Sequence, residues 1–336
     1  MDPDDFLPTL NKIAQRYFQQ VQKEVSYCPT CQPYDGGEYI WILGEETTLE
    51  EIFDELDVPE RFRGDIANHI TCDNCGASNF ERYDIVGKAD HFDLETQEKS
   101  RLAERKYGRK IDELQSHLDK YPSLALTTAL GRKIYKEILR GNVPSLSLSG
   151  KWYRGRTASS SEVYESKDMQ APPIGRARDG RYHHTGQSVL YIADYRETAI
   201  GEVLEEYFKP GLVWIQEYEI GGITKILDLR SDWNRIGMTE SEILVALLSR
   251  RLLDQKVQDR KSNWKPEYFV TRFIADCARL AGYNGISYSS TRYSGDNAII
   301  FDVTTTLIKP VGDPMILVHK PSFNYNVEFT EPCFPF

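Results

Sequence analysis

Apolar residues recur at near-helical spacing at Phe6, Leu10, Ile13, Phe18 and Val21, which predicts an amphipathic helix over residues 3–25. Thr48-Leu-Glu-Glu51 has the form of a capping box and opens a short helix that Val58-Pro59 breaks. A further helix is expected from Pro59 to about His69. A charged, helix-prone segment follows over 94–118, then a helix over 123–139 that ends at Gly141. Beyond that point the period changes. Short apolar runs at 151–156, 188–193, 213–220, 224–229, 285–288 and 298–303 have the length of strands. They alternate with helical patterns at 196–207, 239–254 and 266–281.

This change divides the 336-residue chain. Residues 1–140 read as a small, mainly helical domain. Residues 141–150, rich in Gly, Ser and Pro, read as a linker. Residues 151–310 read as a mixed α+β domain with a substantial sheet. Residues 311–336 carry Pro314, Pro321, Pro332 and Pro335 and read as an extended C-terminal tail.

Composition adds constraints. The hydrophobic and charged fractions are those of an ordinary soluble protein. No apolar run approaches the roughly 20 residues that span a bilayer, so no membrane association is expected. The acidic start, Met-Asp-Pro-Asp-Asp, lacks the basic and apolar regions of a signal peptide, and a cytoplasmic location follows as an expectation. A net charge of −10 argues against strong nonspecific nucleic-acid binding and leaves room for a local basic cleft.

Four of the six cysteines form two Cys-x-x-Cys pairs, Cys28/Cys31 and Cys72/Cys75. Each pair can turn both sulfurs to one metal, and together they suit a structural, four-thiolate Zn2+. Gly76 permits a tight turn after the second pair, expected to direct N–H groups at sulfur. The alternatives are two unrelated reduced pairs or a redox disulfide. Cys277 and Cys333 look unconnected, with Cys277 at a core position of a helix.

Chemistry concentrates in the second domain. Strand alternation sends Arg154 and Arg156 to one face, where two guanidinium groups suit a pyrophosphate or stand solvated on an edge strand. Gly180-Arg181 precedes a polar, aromatic turn that can close over a nucleotide. Glu202 lies on a helix, where a lone carboxylate usually faces solvent. Gly285-Ile-Ser-Tyr-Ser-Ser290 reads as a buried strand ending in hydroxyls. No histidine–acid pair is patterned to activate Ser290 as a nucleophile.

In this order these segments resemble the RES family, named for an arginine, a glutamate and a serine. The matching residues are Tyr153-Arg154-Gly155-Arg156; Gly180, Arg181, Tyr182, Gly186, Leu190, Tyr191 and Ala193; Thr198-Ala199 with Glu202-Val203; Tyr288 and Ser290; and Asn297 before the last apolar strand. His183-His184 departs from the usual Asn-Pro. The resemblance implies an ADP-ribosyltransferase-like fold and a toxin that cleaves the nicotinamide–ribose bond of NAD. NAD is then a substrate, in keeping with the absence of a Gly-x-Gly-x-x-Gly. It implies catalytic roles for Glu202, Arg154 and Ser290, and substrate contacts from Arg156, Arg181, Tyr182, Tyr191 and Asn297. It also implies an antitoxin or other regulatory partner, and leaves homo-oligomerisation open. ADP-ribosyl transfer to a macromolecule, phosphorolysis and a non-catalytic zinc-containing binding protein remain alternatives. The four-cysteine module resembles the N-terminal domain of some RES proteins, grouped with HEPN domains. The HEPN ribonuclease spacing at Arg63 and His69 is one that chance also supplies.

Overall fold

A computed structural model describes residues 10–32, 34–35, 38–157, 163–204, 211–231, 233–257, 262, 264–303 and 306–319. The expected start of the first helix (3–9), Glu205 and Glu206 beside the Glu202 helix, Cys333 and the tail from 320 lie outside these residues. The chain forms two compact units that divide between Gln97 and Glu98. No helix among the described residues is long and apolar enough to cross a membrane.

In the first unit, α1 (Lys12–Glu24) is capped by the Asn11 side chain, which accepts from Ile13 N and Ala14 N at 3.0 Å. Ile13 is exposed, and Ala14 and Val21 form the buried stripe instead. Strands β1 (Tyr34–Asp35) and β2 (Glu38–Tyr39) pair. Strand β3 (Glu45–Thr48) leads into α2 (Leu49–Glu55) through the expected capping box, with Glu51 N donating to Thr48 Oγ1 and Thr48 N donating to Glu51. Helix α3 (Glu60–Ala67) follows, and β4 (Ile85–Lys88) pairs with β3. Val21, Ile52, Phe53, Ile66, Ile70 and Val86 make a fully buried core, which also includes Cys28 and Cys72.

Helix α4 (His91–Lys120) carries the chain into the second unit, where α5 (Ala129–Arg140) ends at Gly141 in the left-handed conformation. The second unit begins well before the expected boundary. Residues 145–150 are not a linker but the first half of β5 (Ser145–Thr157). Ser145-Leu-Ser-Leu-Ser149 has the two-residue alternation of a strand, and Leu148 is buried in the core of the unit. Then come β6 (Leu190–Ala193), α6 (Arg196–Val203), β7 (Gly211–Asp228), α7 (Trp233–Met238), α8 (Glu242–Ser249), α9 (Phe269–Leu280), β8 (Gly285–Ser289), β9 (Asp296–Ile300) and β10 (Ile308–His319).

Two further departures concern strands. The runs 213–220 and 224–229 form one long β7, because Gly221-Gly222 bends the strand and does not end it. The stretch after 310 is not a free tail: β10 is an edge strand on β7. Pro310 is tolerated at that edge, and Pro314 falls at the register shift between Val311 and Met315.

The sheet order is β10-β7-β5-β6-β9-β8, and β7 also pairs in parallel with β8, so five strands curl back on themselves. One face carries Leu148, Trp152, Ile192, Tyr218, Ala298 and Ile300. The other packs against α6 through Ala193, Ala199, Val213 and Ile215, and against α5, α8 and α9. Helix α6 approaches β5 at Gly155, where a Cβ would lie 2.6 Å from Ala199 O. The missing side chain lets the Glu202 helix sit close against the sheet.

Candidate active site and metal centre

Glu202 occupies the last turn of α6 and faces the ends of β8 and β9. Its Oε1 accepts from Ser290 Oγ at 2.6 Å and from Asn297 Nδ2 at 2.7 Å. Asn297 is buried on β9 and Ser290 follows β8. The Ser290 hydroxyl also accepts from the N–H groups of Arg292 and Tyr293, both at 3.2 Å. With its lone pairs taken, its proton is directed to Glu202. The carboxylate is thus gripped through one oxygen. Oε2 lies 3.9 Å from Arg292 Nε, and the side chain keeps 29% of its exposure. Tyr288, paired with Asn297 across β8 and β9, has its hydroxyl pushed well above the ordinary range, by burial first and then by nearby Glu202.

The arginines are arranged differently. On β5, Arg154 and Arg156 leave the face opposite to Gly155, and therefore opposite to α6. Among the described contacts neither touches Glu202. Arg154 Nη1 donates to Tyr191 O at 3.4 Å, while its buried Nε has no partner among the described residues. Burial brings its pKa down to about 10; the Tyr218 hydroxyl opposes this, and repulsion from Arg156 adds a smaller lowering. Arg156 donates to Asp168 O at 2.6 Å and lies over the Tyr164 ring.

Arg181 is buried, and its fork is already occupied. It donates to Leu253 O at 3.1 Å, Gln255 O at 2.9 Å and Thr291 Oγ1 at 3.3 Å. It ties three loops together and does not project into a cleft. Tyr182 is fully buried and donates to Leu253 O at 3.2 Å. The Tyr191 hydroxyl accepts from Tyr182 N at 3.2 Å and lies 2.9 Å from His183 Nδ1. His183 Nε2 is 2.6 Å from Arg178 O, which can only accept, so Nε2 carries the proton and Nδ1 accepts from Tyr191. Burial lowers the His183 pKa and favours this neutral form. His184 instead meets Asp276 at 2.9 Å. The His183-His184 substitution therefore builds its own braced loop.

In the first unit the four sulfurs of Cys28, Cys31, Cys72 and Cys75 all lie within 4.8 Å of one another. Three of the separations are 3.4, 3.6 and 3.7 Å. Four thiolates about 2.3 Å from one tetrahedral ion would lie roughly 3.8 Å apart, so the donor set fits a single metal ion. Gly76, at φ +73°, makes the expected tight turn: its own N–H donates to Cys72 O at 2.8 Å, and the N–H groups of Cys75 and Ala77 donate to the sulfurs of Cys72 and Cys75. Arg63 and His69 make no joint site. Arg63 binds Glu50 at 2.6 Å, Asp54 at 2.7 Å and Val58 O at 2.9 Å, while His69 Nδ1 meets Asp65 O.

Residues 151–317 match the model of the RES domain. This chain carries a RES domain. The match begins inside β5 and ends inside β10, so Arg154, Glu202, Ser290 and Asn297 all fall within the RES domain. No curated protein sequence matches the chain. Among solved structures, a chain of the M. tuberculosis MbcT–MbcA toxin–antitoxin complex is similar at 10% identity, with 56% of this chain and 92% of that chain covered and a TM-score of 0.33.

One functional candidate in the RES domain escapes pattern reading. Arg292 donates through Nη1 to Glu202 O, and the same nitrogen is 3.5 Å from Leu204 O. The available signal was a serine followed by an arginine two residues later, just past a strand. A serine there can cap the next N–H groups and turn the arginine back.

Proposed function

We propose that this RES-domain protein is a toxin that cleaves the nicotinamide–ribose bond of NAD, giving nicotinamide and ADP-ribose and depleting cellular NAD. The observation that carries the reading is the carboxylate of Glu202, held through Oε1 by Ser290 and Asn297, with Oε2 3.9 Å from Arg292 Nε and the side chain 29% exposed. Breaking the C1–nitrogen bond leaves its electron pair on the nicotinamide ring, which departs neutral, so no general acid is required. Positive charge develops at C1 of the ribose, and a fixed carboxylate stabilises it. Water then bonds to C1 and gives up a proton to Glu202 or to solvent.

In this reading Arg154 takes the substrate diphosphate, for which its depressed pKa and unpartnered Nε are suited, and Arg156 assists. Arg181, Tyr182 and Tyr191 shape the pocket wall from behind, since their polar atoms are bonded within the protein. Asn297 acts on substrate through Glu202. The four thiolates hold a structural Zn2+ that stabilises the first unit and takes no part in the reaction. An enzyme that drains NAD requires restraint, which supports an inhibitory antitoxin as partner.

The test is NAD consumption by purified protein beside Glu202→Gln, with nicotinamide and ADP-ribose resolved by chromatography. Equal release of both, reduced by at least 10²-fold in the variant, is expected for hydrolysis with Glu202 at its centre. Nicotinamide without free ADP-ribose would assign transfer or phosphorolysis instead. No turnover by folded, zinc-loaded protein would refute the proposal.

A further inference from the structure

A carboxylate that stabilises a transient cation is useful only if it is already in place, because the charge exists for too short a time for a side chain to search. Ser290 and Asn297 fix the end of the Glu202 side chain but leave its backbone to other contacts. The backbone is at a weak point. Glu202 lies one residue from the end of α6, an eight-residue helix whose last carbonyls have no partners within the helix. Such short helix ends fray, and a shift of the Glu202 backbone would carry its carboxylate with it.

Arg292 stands at this end. Its Nη1 donates to Glu202 O and approaches Leu204 O at 3.5 Å, and its Nε is 3.9 Å from Glu202 Oε2. A guanidinium at a helix C-terminus meets both the unsatisfied carbonyls and the negative end of the helix dipole. Arg292 is itself placed by Ser290, whose hydroxyl accepts the Arg292 N–H. One turn, closed by Ser290 N donating to Gly295 O at 3.0 Å, thus holds Glu202 by its main chain through Arg292 and by its side chain through Ser290.

We propose that Arg292 is a positioning residue for the reaction: it locks the last turn of α6 so that the Glu202 carboxylate stays aimed at the substrate ribose. This rests on the reading of Glu202 as the catalytic carboxylate. The substrate is bound elsewhere, by groups that Arg292 does not touch among its described contacts. Loss of Arg292 should therefore lower kcat with little change in KM.

The experiment compares full-length wild type, Arg292→Ala and Arg292→Lys on NAD, each checked for folding by thermal melting. Arg292→Ala is expected to lose roughly 10²-fold in kcat, the order that follows from an ångström-scale misplacement. KM should stay within about threefold, as expected when an interaction acts only in the transition state. Added guanidinium ion should restore part of the lost kcat, because the cation can reoccupy the space between the carbonyls. Arg292→Lys keeps the charge but not the fork and should fall between the two. An Arg292→Ala protein with unchanged kcat, or one in which kcat and KM worsen together without guanidinium rescue, would overturn the proposal. If Arg292→Ala does not fold, the Lys variant decides by the same kcat-against-KM split. Wild type inert on NAD would refute the proposed function and this inference with it; an active wild type beside an unaffected variant would refute this inference alone.

Discussion

Asn297→Ala removes the second donor on Glu202 Oε1 while leaving Ser290 and Arg292 in place. The bond lost is 2.7 Å long and joins a buried amide to a carboxylate. A hydrogen bond to a charged group contributes about 1.5–3 kcal/mol. Two consequences should separate. Folding stability should fall by about 1.5 kcal/mol, the lower end of that range, because Glu202 keeps 29% of its exposure and water can take up the vacated lone pair. The rate should fall further, because a mobile water does not orient the carboxylate. If the full interaction is lost in the transition state, kcat drops about 10- to 150-fold at 1.4 kcal/mol per factor of ten. Urea denaturation gives the first number and steady-state NAD cleavage the second. A variant that loses the stability but keeps kcat within threefold of wild type would show that Asn297 merely packs the strand, and that Glu202 is not held for catalysis.

Other outcomes follow from the same geometry. Cys72→Ser should release the metal from the four-thiolate cluster. Native mass spectrometry should then show one ion fewer, and a chelator that lowers the Tm of wild type should leave the variant unmoved. Retention of the ion by the variant would refute a joint site. Burial lowers the His183 pKa below its usual 6.5, so neutral His183 contributes stability above about that pH, and the contribution is lost as pH falls through the folded-state value. Between pH 7.5 and 5 the Tm of wild type should therefore fall more than that of His183→Gln; parallel slopes would contradict the braced-loop assignment.

Where the sequence was legible, the information was local. The capping box at Thr48 and Glu51 formed as the spacing indicates, since a cap needs only its own turn. The cysteine knuckles were readable for the same reason: two residues between thiolates set their mutual geometry whatever surrounds them. Alternation put Arg154 and Arg156 on one face of β5. It could equally have revealed the strand in Ser145–Ser149, which its Gly, Ser and Pro content obscured.

Contacts between distant segments were another matter. Glu202 meets Ser290 and Asn297 across 88 and 95 residues of chain, and no periodicity carries that pairing. Arg181 has the composition of an anion clamp, yet Leu253 O and Gln255 O take its donors, because a loop far along the chain folds over it. Arg292 acquired its place only when β8 brought its turn against the end of α6. The sequence by itself determined the helix caps, the strand faces and the cysteine knuckles, because these depend on neighbours within a turn or on the fixed alternation of a strand. Tertiary structure alone decided which arginine is spent on the fold, which carboxylate oxygen Ser290 and Asn297 hold and which residues surround it, because those depend on how strands distant in sequence come to pair.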